Sequence, residues 1–162
     1  MNPTIRLVLF AAAFVLPTLL MAAGVPNRFV TLDPSKERAQ APFSDAVIAG
    51  DTLYVSGVVG AEPGAPGSGF SEAKVPADPS AETRLAMEEI RRIVESAGFR
   101  MQDIAVVQVF CTDVSLFGAF NSVYGTYFHD HYPARAFLGV SKFIVGGAHF
   151  EIMVTAVRHA TQ

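Results

Sequence analysis

The chain has 162 residues, a length that points to one domain, and 51% of them are hydrophobic. Twelve Lys and Arg face fifteen Asp and Glu, for a formal net charge of -3, and no basic cluster stands ready for a phosphate backbone. The single cysteine, Cys111, excludes an intramolecular disulfide, so stability must come from packing or assembly.

Met1 to Arg6 is a short n-region with one arginine, and LVLFAAAFVLPTLLMAAG continues it as an apolar run ending in small residues. This pattern predicts a secretory signal cut after Ala23 or Gly24, leaving about 138 residues for a core. An uncleaved anchor is the competing reading, since Leu7 to Val25 nearly spans a bilayer. Pro17 and the small-residue end favour cleavage. The expectation is an exported, periplasmic protein that has no membrane attachment after cleavage. Residues 1–24 are then the signal, 25–45 a lead-in and 46–160 the folded domain.

The lead-in PNRFVTLDPSKERAQAP (26–42) reads as irregular, being rich in proline and charge. AVIAGDTLYVSGVVG then predicts strands over Ala46 to Ala49 and Leu53 to Val59, joined by a Gly50-Asp51 turn. The Gly/Pro/Ser-rich stretch AEPGAPGSGFSEAKVPADP predicts a loop. Asp78 is placed to cap a helix with Pro79 at its first position and Gly98 at its end. Thr83, Met87, Ile90, Val94 and Ala97 mark its buried face; Glu82, Glu88, Glu95 and Arg92 are assigned to the wet side. IAVVQVFCT (Ile104 to Thr112) predicts a central strand. Asp113 or Ser115 caps a second helix, whose stripe is Leu116, Phe120, Val123, Tyr124 and Tyr127. Strands Ala134 to Lys142 and Ala148 to Val157 close the chain. The order predicts an α+β sandwich with a mixed sheet and two helices on one face. Both faces of the last strand carry apolar residues, so assembly through the open sheet face is expected.

Arg135 is the first chemical oddity, a guanidinium in HYPARAFLGV beside Phe137, Leu138 and Val140. It either reaches solvent along its packed stem, forms a structural ion pair, or clamps a carboxylate with its planar fork. Glu151 is the second, a charge inside HFEIMVTAV. It is an edge gatekeeper, a partner for Arg135 or Arg158, or a carboxylate that orients and deprotonates water. His129 and His131 in HDH lack a third ligand at metal-site spacing, so no metal is expected. Cys111 shares parity with Val107 and Val109 and reads as a buried small hydrophobe. Ser56-Gly57 lacks a GxSxG setting, and Gly146-Gly147 lacks that of a phosphate loop.

Together, APFSDAVIAGDTLYVSG, VESAGF, DIAVVQVFCTDVSLFGAFNSVYGTYF, PAR and FEIMVTAVR resemble the RidA (YjgF-type) family of reactive enamine/imine deaminases in order and spacing, from about Ala41 to Arg158. The resemblance implies a chorismate-mutase-like fold and a homotrimer with an inner sheet barrel and clefts between subunits. It implies hydrolysis of 2-imino acids or their enamines to 2-oxo acids and ammonium, without a cofactor. It places the substrate carboxylate on Arg135 and the water-activating acid at Glu151. Asn121, Ser56 and Gly57 match family positions. The chain departs from the family at Phe43 (often tyrosine), Val58 (usually glutamine), Ala136 (commonly serine) and Phe137 (often cysteine). The backbone of Ala136 and Phe137 remains available to a carboxylate. By strand parity Phe137 points the same way as Arg135 and reshapes the pocket, with a leaning toward bulky or aromatic substrates from Phe43 and Phe137. A non-catalytic module for small carboxylates is the alternative. The ribonuclease activity sometimes attached to the family name is disfavoured by the acidic balance.

Overall fold

The computed structural model describes residues 26–32, 42–62 and 73–158. The expected signal segment lies outside the described residues. Among the described residues six strands and two α-helices follow one another: β1 (Arg28–Val30), β2 (Ala46–Ala49), β3 (Thr52–Val59), α1 (Pro79–Ser96), β4 (Ile104–Cys111), α2 (Phe117–Tyr124), β5 (Ala134–Gly139) and β6 (Phe150–Val157). They form one sheet in the order β1-β2-β3-β6-β4-β5. Only β4 and β5 run parallel; the other neighbours are antiparallel. Parallel strands need a crossover, and α2 supplies it between β4 and β5. This is the α+β sandwich expected from the order of elements.

The expected elements are recovered, β5 ending at Gly139 rather than Lys142 and β6 starting at Phe150 rather than Ala148, with two larger differences. The lead-in, read as irregular, contributes β1, which pairs with β2 through Phe29 opposite Val47. A three-residue edge strand is too short to leave a periodic signal. The second difference concerns Glu82, assigned to the wet side but fully buried. Its spacing to Ala86, Ile90 and Ile93 puts it on the buried face of α1, and its charge misled the assignment. Three donors satisfy it there. The backbone N–H groups of His149 and Phe150 donate to Oε1 at 2.8 and 2.9 Å, and His149 Nδ1 meets Oε2 at 2.5 Å. The carboxylate thus ties the first turn of α1 to the start of β6. The neighbouring end of β3 is also close: a Cβ on Gly60 would lie 1.8 Å from the Glu82 carbonyl oxygen.

Helix α1 begins as expected, with the Asp78 side chain accepting from the Ser80 N–H and Pro79 in the first turn. It ends in a Schellman motif: Phe99 N–H reaches Val94, Gly98 N–H reaches Glu95, and Gly98 takes a φ of 80°. Leu53, Val55, Met87, Ile90, Val107, Val109, Phe120, Phe150 and Ile152 fill the space between helices and sheet. Cys111 joins this core, as its parity predicted; burial raises its thiol pKa, and the thiol donates to the Asp113 carbonyl.

The other sheet face has no covering element among the described residues. Strand registers align Phe29, Val47, Tyr54, Thr155, Val106 and Ala134 in one row across all six strands. Tyr54 is 52% exposed, and Leu138 and Met153 on the same face are 46% and 37% exposed.

Candidate functional site

Two clusters emerge, one on each side of the sheet. The first surrounds Arg135. Arg135 lies opposite Val107 and Phe137 opposite Val109, so both point to the helix side of edge strand β5. This agrees with the parity reading. Phe117, Phe120, Asn121 and Tyr124 stand three to four residues apart on α2 and therefore share the face that overlies them. Arg135 Nη1 donates to Asn121 Oδ1 at 2.8 Å. The guanidinium carbon lies 4.6 Å from the Tyr124 ring centre, 5.5 Å from Phe117, 5.7 Å from Phe120 and 6.0 Å from Phe137. These are cation–π distances.

Asn121 is the one hydrogen-bond acceptor that Arg135 has among the described residues. No carboxylate pairs with it there, so the structural ion pair considered from sequence is not found among the described residues. Phe137 packs edge-on to Phe117 and Phe120 and contacts Phe150, with centroids 5.1, 5.4 and 6.4 Å away. It fills space beneath the guanidinium as part of the aromatic core. Phe117 is 46% exposed and forms the open wall.

The second cluster surrounds Glu151. Glu151 lies opposite Val59 on β3 and Phe110 on β4, on the uncovered sheet face. Between Val55 and Val58 the β3–β6 register slips by a bulge that contains Ser56 and Gly57. A Cβ on Gly57 would lie 1.8 Å from Glu151 Oε1, so the carboxylate rests directly against the Gly57 backbone, and a larger residue there would have to displace it. Ser56 Oγ donates to the Ser44 carbonyl at 2.7 Å, fastening the segment that carries the exposed Phe43 beside the bulge. Ala136 also faces this side, opposite Gln108.

Arg135 and Glu151 are therefore not brought together within one chain. Their strands are separated by β4, and their side chains leave the sheet on opposite faces. The sequence reading paired them without a register to place them. Grooves of about 270 and 310 Å³ lie elsewhere, the first along Met101, Ile104, Phe128, Tyr132 and Val157, and neither is lined by Arg135 or Glu151.

Three neighbours of Arg135 escaped the sequence reading as site residues, Phe117, Phe120 and Tyr124. Their shared helical face with Asn121 was the available signal. Among the described residues no group of three or more His, Cys, Asp or Glu could hold a metal ion. Three exposed arginines are paired with carboxylates: Arg91 with Glu88, Arg92 with Glu89 and Arg100 with Asp103.

Comparison with known proteins bears on the fold and the family. The family model described as Endoribonuclease L-PSP matches residues 34–158. A RutC family protein of Sulfurisphaera tokodaii is 40% identical over 101 residues, covering 62% of this chain and 76% of that protein. A Rattus norvegicus protein named 2-iminobutanoate/2-iminopropanoate deaminase is 32% identical over 116 residues, covering 72% of this chain and 80% of its own. The crystal structure of the E. coli YjgF gene product superposes with a TM-score of 0.68 at 27% identity, over 82% of this chain and 99% of that one. The chain belongs to the Endoribonuclease L-PSP family, which includes the YjgF and RutC proteins.

Proposed function

We propose that the protein hydrolyses reactive 2-imino acids, or their enamine tautomers, to 2-oxo acids and ammonium. The observation that carries this reading is the guanidinium of Arg135. It is held by Asn121 at one nitrogen, stacked on aromatic rings, and left with donors for a planar anion. A substrate carboxylate on that fork sets its imine carbon beside the exposed edge of Phe117. The name of the rat relative supports the choice of reaction.

The general base is Glu151. Because it lies on the opposite face of its own sheet, the Glu151 that serves a given Arg135 belongs to a neighbouring copy. The apolar sheet face around Tyr54, Met153 and Leu138 is the surface for that assembly, which we read as a homotrimer. In the reaction, Glu151 accepts a proton from water as the water oxygen bonds to the iminium carbon, and the C=N π pair moves to nitrogen. Glu151 returns that proton to the nitrogen, the carbinolamine hydroxyl then gives its own proton to Glu151 as the carbonyl forms and the C–N bond breaks, and the departing ammonia takes this proton up as ammonium. A protonated imine is already electrophilic, so the catalytic task is orientation and proton transfer.

A purified protein mixed with an amino-acid oxidase and its amino acid should speed the disappearance of the imino acid and raise the 2-oxo acid at the same rate. Decay no faster than in buffer contradicts the reading. The packing of Phe137 beneath the guanidinium favours one alternative, a module that binds small carboxylates without turnover. That alternative predicts calorimetric binding of 2-oxo acids with no acceleration of imine loss. Export through the N-terminal segment remains part of the proposal, with the reaction placed in the periplasm; a fusion of residues 1–24 to a periplasm-dependent reporter tests it.

A further inference from the structure

We propose that Tyr124 is a positioning residue for Arg135, acting through its ring rather than its hydroxyl; the inference rests on the carboxylate-binding role assigned above. Tyr124 lies in the last turn of α2, three residues after Asn121, and its side chain is almost fully buried. Of the four rings around the guanidinium, its centre is the nearest, at 4.6 Å. The ring is itself held from two sides, stacked on Phe120 with centroids 5.5 Å apart and packed on Phe128 at 4.9 Å. Asn121 and Tyr124 thus secure the guanidinium at two points, one by hydrogen bond and one by stacking. An arginine on an edge strand otherwise samples many rotamers, and freezing them costs binding free energy when the ligand arrives. A helix that prepares the fork removes part of that cost.

The hydroxyl is a separate matter. It is a buried polar atom without a hydrogen-bond partner among the described residues. Burial also pushes the Tyr124 pKa up to about 12, against a smaller lowering by Arg135, so the group stays neutral. An unpaired buried hydroxyl is a cost to folding, and no hydrogen bond ties it to Arg135 among the described residues. The ring and the hydroxyl therefore predict different outcomes.

The test compares Tyr124→Phe and Tyr124→Leu, with 2-oxobutanoate binding measured by calorimetry and hydrolysis measured as KM and kcat. Tyr124→Leu should weaken 2-oxobutanoate binding and raise KM by about fivefold to tenfold while kcat stays within about twofold. Tyr124→Phe should restore the binding and keep or raise the Tm. Loss of binding in Tyr124→Phe equal to that in Tyr124→Leu overturns the ring-based account, because the hydroxyl would then be the working part. Unchanged binding in Tyr124→Leu overturns it as well, and leaves the deaminase reading intact. Binding that weakens as stated in a protein that hydrolyses no imine supports the positioning role and contradicts the deaminase. A wild-type protein that binds no 2-oxo acid contradicts both.

Discussion

Replacing Arg135 with alanine should lower kcat/KM for imine hydrolysis by about 10²-fold to 10³-fold, the range for losing a charged group that fixes substrate in a water-poor site. The loss should appear in the binding of 2-oxo acids too, because the fork meets the carboxylate before the reaction and after it. Arg135→Lys should recover little, since an ammonium offers a point charge without the planar pair of donors. The fold should tolerate the change. Arg135 sits at the sheet edge with one hydrogen bond, to Asn121, and makes no ion pair among the described residues. A variant with wild-type Tm and wild-type turnover would remove Arg135 from the mechanism.

The largest effect on stability is expected at Glu82. Glu82→Ala strands the N–H groups of His149 and Phe150 and leaves a cavity under α1. Losing the acceptor of a buried charged network costs about 3–5 kcal/mol. In a domain of this size that corresponds to a Tm lower by roughly 10–20 °C. Glu82→Gln keeps an oxygen for both backbone donors and should retain much of the stability, a fall of about 1–2 kcal/mol. Thermal denaturation of the two variants separates these outcomes. A Glu82→Ala protein as stable as wild type would show that the buried carboxylate is dispensable. The effect reaches function as well, because Glu82 anchors the start of β6 immediately before Glu151.

These two residues also show where sequence reasoning succeeds and where it stops. Arg135 was legible because a guanidinium among Phe137, Leu138 and Val140 is chemically out of place, and parity correctly put Phe137 on its side. The periodicity of Thr83, Met87, Ile90 and Val94 located α1, and alternation from Phe150 to Val157 located β6. Glu82 was misplaced because its charge outweighed its spacing; the donors that satisfy it come from His149 and Phe150, 67 and 68 residues away. The relation of Arg135 to Glu151 was hidden for a similar reason. Parity orders side chains within one strand, but only the registers of β4 with β5 and β6 reveal that the two residues leave the sheet on opposite faces. Tyr124 was read as core, which it is; its contact with a guanidinium from β5 depends on how the crossover helix lands on the sheet.

The placement of Arg135 and Glu151 makes the shared site the centre of the account. Its most direct test is complementation between Arg135→Ala and Glu151→Gln chains, co-expressed so that they assemble together. Each variant alone should be nearly inactive. If one copy supplies the guanidinium and a neighbour the carboxylate, random mixing in equal amounts should restore about a quarter of wild-type activity, carried by interfaces that unite the two intact residues. Mixed assemblies as inactive as either variant alone would contradict a site divided between copies.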